Sequence, residues 1–196
     1  MADRTEAVRA IAGLELPEPG AWGFDPAHSS ITAVARHLMV TKVRGTFERF
    51  SGTIHVAERP EDSWVEVEID AASIDTGVPD RDAHLRSPDF LDVERYPTIA
   101  FRSTGLEPLG GTRFRLPGEL TIRGVTRPVV LEAEYLGAVT DPWGNRKVGF
   151  TASAEIDREE FGMTWNQVLE AGGVLVGPKL QVEIEVQAVR AEQRAA

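Results

Sequence analysis

Cysteine is absent from this 196-residue chain. That excludes disulfides, thiolate nucleophiles and cysteine-ligated metal or iron–sulfur centres, and it favours a reducing compartment, since small secreted domains often depend on disulfides. No run of about 18 consecutive apolar residues occurs, as a membrane-spanning helix would need, and Met1–Gly20 carries no apolar run of signal-peptide length. Basic residues are in deficit: 21 Lys and Arg against 31 Asp and Glu leave a net charge of −10. Such a surface repels phosphate backbones and anionic headgroups, which disfavours nucleic acid or a peripheral membrane site as the primary partner. A Gly-x-Ser-x-Gly elbow, a P-loop and a dinucleotide fingerprint are also missing, with the βαβ pattern they require. These absences describe a soluble cytoplasmic protein without nucleic-acid partners or stable membrane insertion.

What is present is alternation. With 42% hydrophobic and 27% charged residues the composition is that of an ordinary globular chain, and its length suits one domain with a sizeable core or cavity. Period-two patterning predicts eight strands over 31–36, 46–56, 64–69, 98–106, 114–122, 129–140, 147–156 and 180–187. Residues 38–43 read as an irregular or helical connection, and Ser51-Gly52 as a bulge. Gly110-Gly111, Arg123-Gly124 and Asp141-Pro-Trp-Gly-Asn145 read as tight turns. Residues 1–20 form an N-terminal extension, with one or two helical turns over 3–12, residues 21–190 the domain proper, and 191–196 a tail. Eight strands with one apolar face each and short connections predict an all-β antiparallel fold. Eight is also the number at which a closed barrel has room for one small ligand; a β-sandwich fits the pattern as well.

Residues 75–97 break the alternation with three arginines, a histidine and many carboxylates in a turn-and-helix segment. Asp80 suits the cap of one short helix, and Ser87 before Pro88 the cap of a second. For catalysis, His28 stands beside Ser29 and Ser30, but successive strand residues point to opposite faces. His37 and His84 with an Asp remain as an acid–base set for a barrel hydrolase or isomerase. Asp82-x-His84 joined by His37 would be a mixed site for a divalent ion, though the spacing matches no established metal motif. The third class is binding. Small residues recur on the apolar stripes (Ala33, Ala35, Ala100, Ala133, Gly149, Ala152, Ala154), and small inward side chains leave volume that a dense interior would fill.

The blocks Trp22-Gly-Phe-Asp-Pro-Ala-His-Ser-Ser-Ile31, Val43-Arg-Gly-Thr-Phe47, Ser73-Ile-Asp-Thr-Gly77, Arg81-Asp-Ala-His-Leu-Arg-Ser-Pro-Asp-Phe-Leu-Asp92, Pro97-Thr-Ile-Ala-Phe-Arg-Ser103 and Gly118-Glu-Leu-Thr-Ile-Arg-Gly-Val-Thr126 occur together and in order. In these the chain resembles the YceI-like family over about residues 20–190. The resemblance implies an extended, lipocalin-like eight-stranded antiparallel barrel with short helices in its connections. It also implies binding, storage or transport of a long isoprenoid lipid, a quinone or a polyprenyl phosphate, in an apolar tunnel. No cofactor is implied beyond such a lipid. A hydrophobic or amphiphilic small molecule is then the expected partner, with a homodimer allowed. The polar end of the ligand would meet Arg81, His84 and Arg86, with Asp82 beside them and His37 and Arg44 across. The tunnel lining would draw on Ala33, Ala35, Phe47, Phe101, Phe150, Ala152 and Trp165. A regulatory interaction module of a stress response is the remaining alternative, with no dedicated surface signal.

Overall fold

The alternating stripes fold as strands because each can bury one face only by curling around the others. The computed structural model describes residues 10–11, 13–170 and 172–191. In chain order the strands are β1 (Ala10–Ile11), β2 (Leu14–Glu15), β3 (Gly20–Phe24), β4 (Ser30–His37), β5 (Thr41–Phe47), β6 (Phe50–Val56), β7 (Trp64–Asp70) and β8 (Ile74–Asp75). Helix α1 (Pro79–Arg86) follows, then β9 (Thr98–Ser103), β10 (Glu107–Gly110), β11 (Arg113–Ile122), β12 (Val125–Thr140), β13 (Arg146–Asp157) and β14 (Val176–Arg190).

These close into an eight-stranded antiparallel barrel. β14 makes the closure. One of its edges pairs along β13, from Lys147↔Val189 to Asp157↔Lys179. Its other edge pairs first with β4 and then with β3, which act as one stave interrupted at 25–29. β5 and β6 form the next stave, interrupted at Glu48 and Arg49. β8 continues β7 past a single 3-10 turn, Ala71–Ser73, and pairs with β5. The chain then leaves the sheet as α1 and the loop over 87–97, and returns as β9. The departure from the strand pattern that the sequence shows at 75–97 is therefore an insertion at one end of the barrel, called here the α1 end.

Several local expectations are corrected. Residues 41–43 belong to β5, in register with β4 from Thr32↔Thr46 to His37↔Thr41. The link is the three residues 38–40, a tight turn in which Leu38 and Met39 take φ of 53° and 60°, with the Val40 N–H donating to the His37 carbonyl at 3.0 Å. Such turns normally use Asn-Gly, because both central residues need positive φ; with Leu-Met the sequence hides the hairpin. Side chains in that region cost roughly 1–2 kcal/mol each. We therefore expect Leu38→Asn/Met39→Gly to raise stability by about 1–2 kcal/mol, seen as a higher urea midpoint at unchanged slope.

Gly52 is not a bulge. It stays in regular register opposite Val67, and the Phe24 ring lies where its Cβ would be, 2.6 Å away. The irregularity falls at Glu48 and Arg49 instead, where the Arg49 N–H turns to the Ser73 hydroxyl at 3.1 Å. Ser87 does not start a second helix. Its N–H closes α1 on the His84 carbonyl at 3.1 Å, and hydrogen-bonded turns follow to Tyr96. Asp80 sits in the first turn of α1, while Val78 holds the cap position without a side-chain bond. In place of the helical turns expected near the start, Ala10–Ile11 pairs with Leu14–Glu15; residues 3–9 and 12 lie outside the described residues.

Candidate functional site: an apolar tunnel

The inward faces do not meet. Two groups of buried apolar side chains, one around Trp22, Phe101, Leu131, Tyr135 and Val186, the other around Ile31, Phe47, Ile74, Ile99, Ile156 and Phe161, form two halves of a wall rather than one filled core. Between them runs a cavity of about 510 Å³, within the range of sites that hold small-molecule ligands. Its wall is drawn from every stave: Ile31, Ala33 and Ala35 of β4, Val65, Val67 and Ile69 of β7, Phe150, Ala152, Ala154 and Ile156 of β13, and Leu180, Val182, Ile184 and Val186 of β14. Several of these, including Ala33, Ala152, Phe150 and Ile184, are only half-buried although protein surrounds them, because they face the internal space. Ala133 and Ala154 line it too. Ala100 and Gly149 do not: Ile99 and Phe101, and Val148 and Phe150, take the inward positions beside them, and a Cβ on Gly149 would meet exposed Leu136 at 3.5 Å.

At the α1 end the wall turns polar. Arg81, His84, His37, Arg36, Thr76 and Trp165 reach the cavity there, as does the hydrocarbon of Leu85, Met163 and Leu175. Thr76 is the hub of this corner. The buried Asp82 carboxylate accepts from its N–H at 2.9 Å and from its hydroxyl, while Arg81 donates through Nε to the hydroxyl at 2.7 Å and through Nη2 to the Thr76 carbonyl at 3.0 Å. Burial works to raise the Asp82 pKa, but the two Thr76 bonds, helped by the Arg86 charge, hold it below its ordinary 3.8. His84 stands edge-on to both Phe90 and Trp165, at ring distances of 5.0 and 4.6 Å, and its Nε2 lies 2.9 Å from the Asp89 carboxylate.

The structure thus brings Arg81, His84, His37 and Trp165 together, with Ala33, Ala35, Phe47, Phe101, Phe150 and Ala152 in the wall behind them. Arg44, Arg86 and Asp82 are not among the residues that line the cavity. Arg44 is exposed and bridges Glu183 on the outer surface of β14. Arg86 turns back to the carbonyls of Ala72 and Ile74, both at 2.8 Å, and pins α1 to the barrel. Asp82 organises the turn before α1. With Asp82 committed to Thr76 and His84 to Asp89, the metal set imagined from Asp82-x-His84 is not assembled. Nor is a nucleophile–base pair at 28–29: the Ser29 hydroxyl donates to the Gln187 carbonyl at 3.2 Å and accepts from its N–H at 3.0 Å, while His28 pairs with Asp25.

Two parts of the site were given no role from the sequence, although Ile156-Asp-Arg158 and Val176-Gly177 belong to the blocks that resemble the family. Arg158, 1% exposed, lies in the wall and donates to the carbonyls of Gly177 at 3.0 Å, Val176 at 3.3 Å and Met163. Its guanidinium stands 5.9 Å from the centre of the Phe90 ring. Desolvation lowers its pKa, against the opposing pull of Glu159 and Asp157. The second part is the N-terminal segment, which reads as a mere extension. Leu16 and Pro17 cross the end of the tunnel remote from α1 and reach the cavity. The Tyr135 hydroxyl donates to the Glu15 carbonyl, Arg146 pairs with the Glu15 carboxylate, Arg190 pairs with Glu18, and the Trp22 indole donates to the Glu18 carbonyl at 3.0 Å.

Burial under this segment pushes the Tyr135 phenol up to about 12, with Glu15 adding to the shift and Arg146 opposing it. A pKa raised above its unfolded value supports the fold below the ordinary 10.0 and loses that support as pH climbs toward 12. In an alkaline absorbance titration the Tyr135 phenolate is expected only near pH 12. Deleting residues 1–18 should bring it back toward the ordinary value.

A closed antiparallel barrel wrapped around an apolar tunnel is the architecture of a lipocalin-like protein. The chain belongs to the YceI-like family: the YceI-like domain matches residues 22–188. It is 39% identical to Protein YceI of Escherichia coli O157:H7 over 137 residues, 69% of this chain and 71% of that one. Its fold is similar to that of BcnA from Burkholderia cenocepacia, with a TM-score of 0.74 at 22% identity over 84% of this chain and 98% of the other. It is also similar to a polyisoprenoid binding domain from Saccharophagus degradans, with a TM-score of 0.66 at 12% identity over 88% and 99% of the two chains. At such identities the two structural likenesses are likenesses of fold.

Proposed function

We propose that this protein is a non-catalytic carrier or store for one long apolar lipid of the polyisoprenoid class. The tail lies in the tunnel, and the head, a quinone or a phosphate, lies at the α1 end beside Arg81, His84 and His37. One observation carries the reading: the barrel is lined by apolar side chains from every stave and left unfilled, with alanine at 33, 35, 133, 152 and 154 where larger residues would close it. Burial of an apolar chain yields roughly 25 cal/mol per Å² and needs neither base nor metal. A guanidinium can bind a phosphate through two nitrogens at once. The polyisoprenoid binding domain of the same fold supports the choice of ligand class, and the absence of cysteine suits the cytoplasm.

Native mass spectrometry of the purified protein, with organic extraction, tests the reading. A bound mass that extracts as a prenyl lipid is expected, as is saturable one-to-one uptake of a polyprenol or long-chain quinone by the emptied protein. Protein that is repeatedly recovered empty and takes up neither ligand would overturn it.

A further inference from the structure

The β4–β5 turn carries Leu38, Met39 and Val40, all exposed, Val40 to 78%. This is more than a stray apolar tip. The Leu38 N–H donates at 2.9 Å to the carbonyl of Leu175, in the segment leading into β14, and that segment holds up Val168, 84% exposed. His37 and Leu175, next to these residues, reach the cavity. The exposed apolar rim is therefore continuous with the tunnel at its α1 end. The same turn holds two bulky residues in a left-handed conformation that Asn-Gly would adopt without strain, so its side chains are kept against the preference of the fold.

The charge of the hairpin itself is opposite to that of the chain. The protein carries −10, yet the hairpin Arg36-His-Leu-Met-Val-Thr-Lys-Val-Arg44 has three cations and no carboxylate. Arg44 bridges Glu183. Arg36 and Lys42 are exposed and directly opposite each other across the strand pair, an arrangement of like charges that weakens a hairpin. The carboxylate that feels Lys42 is Glu183, which Arg44 already engages. Apolar side chains at a tip, with cations in the strands behind them and cavity-lining residues next to them, match the interface of a bilayer, apolar inside and anionic at its surface.

We infer that the β4–β5 hairpin, with Val168 beside it, docks reversibly on a membrane surface carrying anionic lipid, setting the α1 end of the tunnel against the bilayer. The acidic remainder of the chain, the inserted segment included, opposes the contact, so the hairpin's cations and apolar tip are what hold the surface. The purpose of docking rests on the lipid reading above, but the contact itself does not need a loaded tunnel.

Flotation of the full chain with phosphatidylcholine vesicles, with and without phosphatidylglycerol, tests the inference. The wild type should float with the mixed vesicles, less so as salt rises. Arg36→Gln and Lys42→Gln should each weaken binding roughly five-fold. Leu38→Asn/Met39→Gly should lose it while unfolding at higher urea, which separates docking from stability. Trp143→Glu, on the β12–β13 turn, should float as the wild type does. The inference is overturned by failure of the wild type to float with mixed vesicles, or by loss of flotation in Trp143→Glu with the hairpin variants unaffected. A hairpin-dependent dimer in sedimentation velocity without vesicle binding would overturn it too, assigning the rim to a second copy. Uptake of polyprenol in detergent-free titration is measured separately, so docking and cargo binding can fail independently.

Discussion

Ala152→Trp and Ala33→Trp are each expected to weaken uptake of a polyprenol or long-chain quinone at least ten-fold while leaving the urea midpoint unchanged or raised. Both alanines face the cavity from neighbouring parts of the wall, β13 and β4. An indole at either place projects into the space the tail would use. In a close-packed interior such an insertion would cost about 1–3 kcal/mol through clashes. Here it meets a void and buries its own apolar surface, so the stability term has the opposite sign. The two readouts must therefore move apart. Ala100→Trp, on the outward side of β9, serves as the control and should leave uptake intact. A wall variant that loses stability and keeps its ligand would show that the tunnel is neither hollow nor the binding site.

Arg158→Leu should destabilise the protein by roughly 3–5 kcal/mol, since leaving a buried polar group unsatisfied costs about 1–3 kcal/mol and three carbonyls, on Met163, Val176 and Gly177, lose their donor. The sum is discounted because the leucine no longer buries a charge. Against a typical total of about 5–15 kcal/mol the loss is large. Arg158→Lys should recover only part of it, because one ammonium cannot replace a fork whose three nitrogens each hold a different carbonyl. Urea denaturation of the three proteins measures the difference. An unchanged midpoint in Arg158→Leu would mean that water replaces the guanidinium at no cost and that the end of β14 is held by other contacts.

Arg158 also shows the limit of reading a chain in one dimension. In sequence it is one charge in Asp157-Arg-Glu-Glu160, after a strand and at the start of a turn. The turn is legible, because Asp157 caps it through the Glu159 N–H at 3.0 Å. The burial is not, because the carbonyls that receive Arg158 come mostly from residues almost twenty positions later. Arg44, Arg81 and Arg86 make the same point. All three lie in the recognisable blocks, yet one bridges an outer-face glutamate, one faces the cavity and one staples a helix to the barrel. What separates them is the side of the sheet or helix on which each falls and the partner that waits there.

The hairpin at 38–39 was hidden for a different reason. Turn prediction relies on residues that adopt positive φ cheaply, and Leu-Met is not among them. The N-terminal segment was hidden because its anchors are Tyr135, Arg146 and Arg190, far along the chain. By contrast the small-residue stripes Ala33-Ala35 and Ala152-Ala154 were legible as hollow wall, since period two alone decides which residues of a strand share a face.

By itself, then, the sequence determined eight antiparallel strands with an inserted segment over 75–97 and apolar faces rich in small residues, while the barrel, as against a β-sandwich, came only from the family resemblance. Alternation, turn chemistry and side-chain volume are local quantities and survive being read in order. Only the tertiary structure decided that the inserted segment ends one mouth of a tunnel, that the N-terminal segment crosses the other, and that the cations of the β4–β5 hairpin gather around an exposed apolar tip. Those facts depend on which strands become neighbours when the barrel closes, and closure is set by the pairings of β14 with β4 and β3, between residues more than a hundred positions apart.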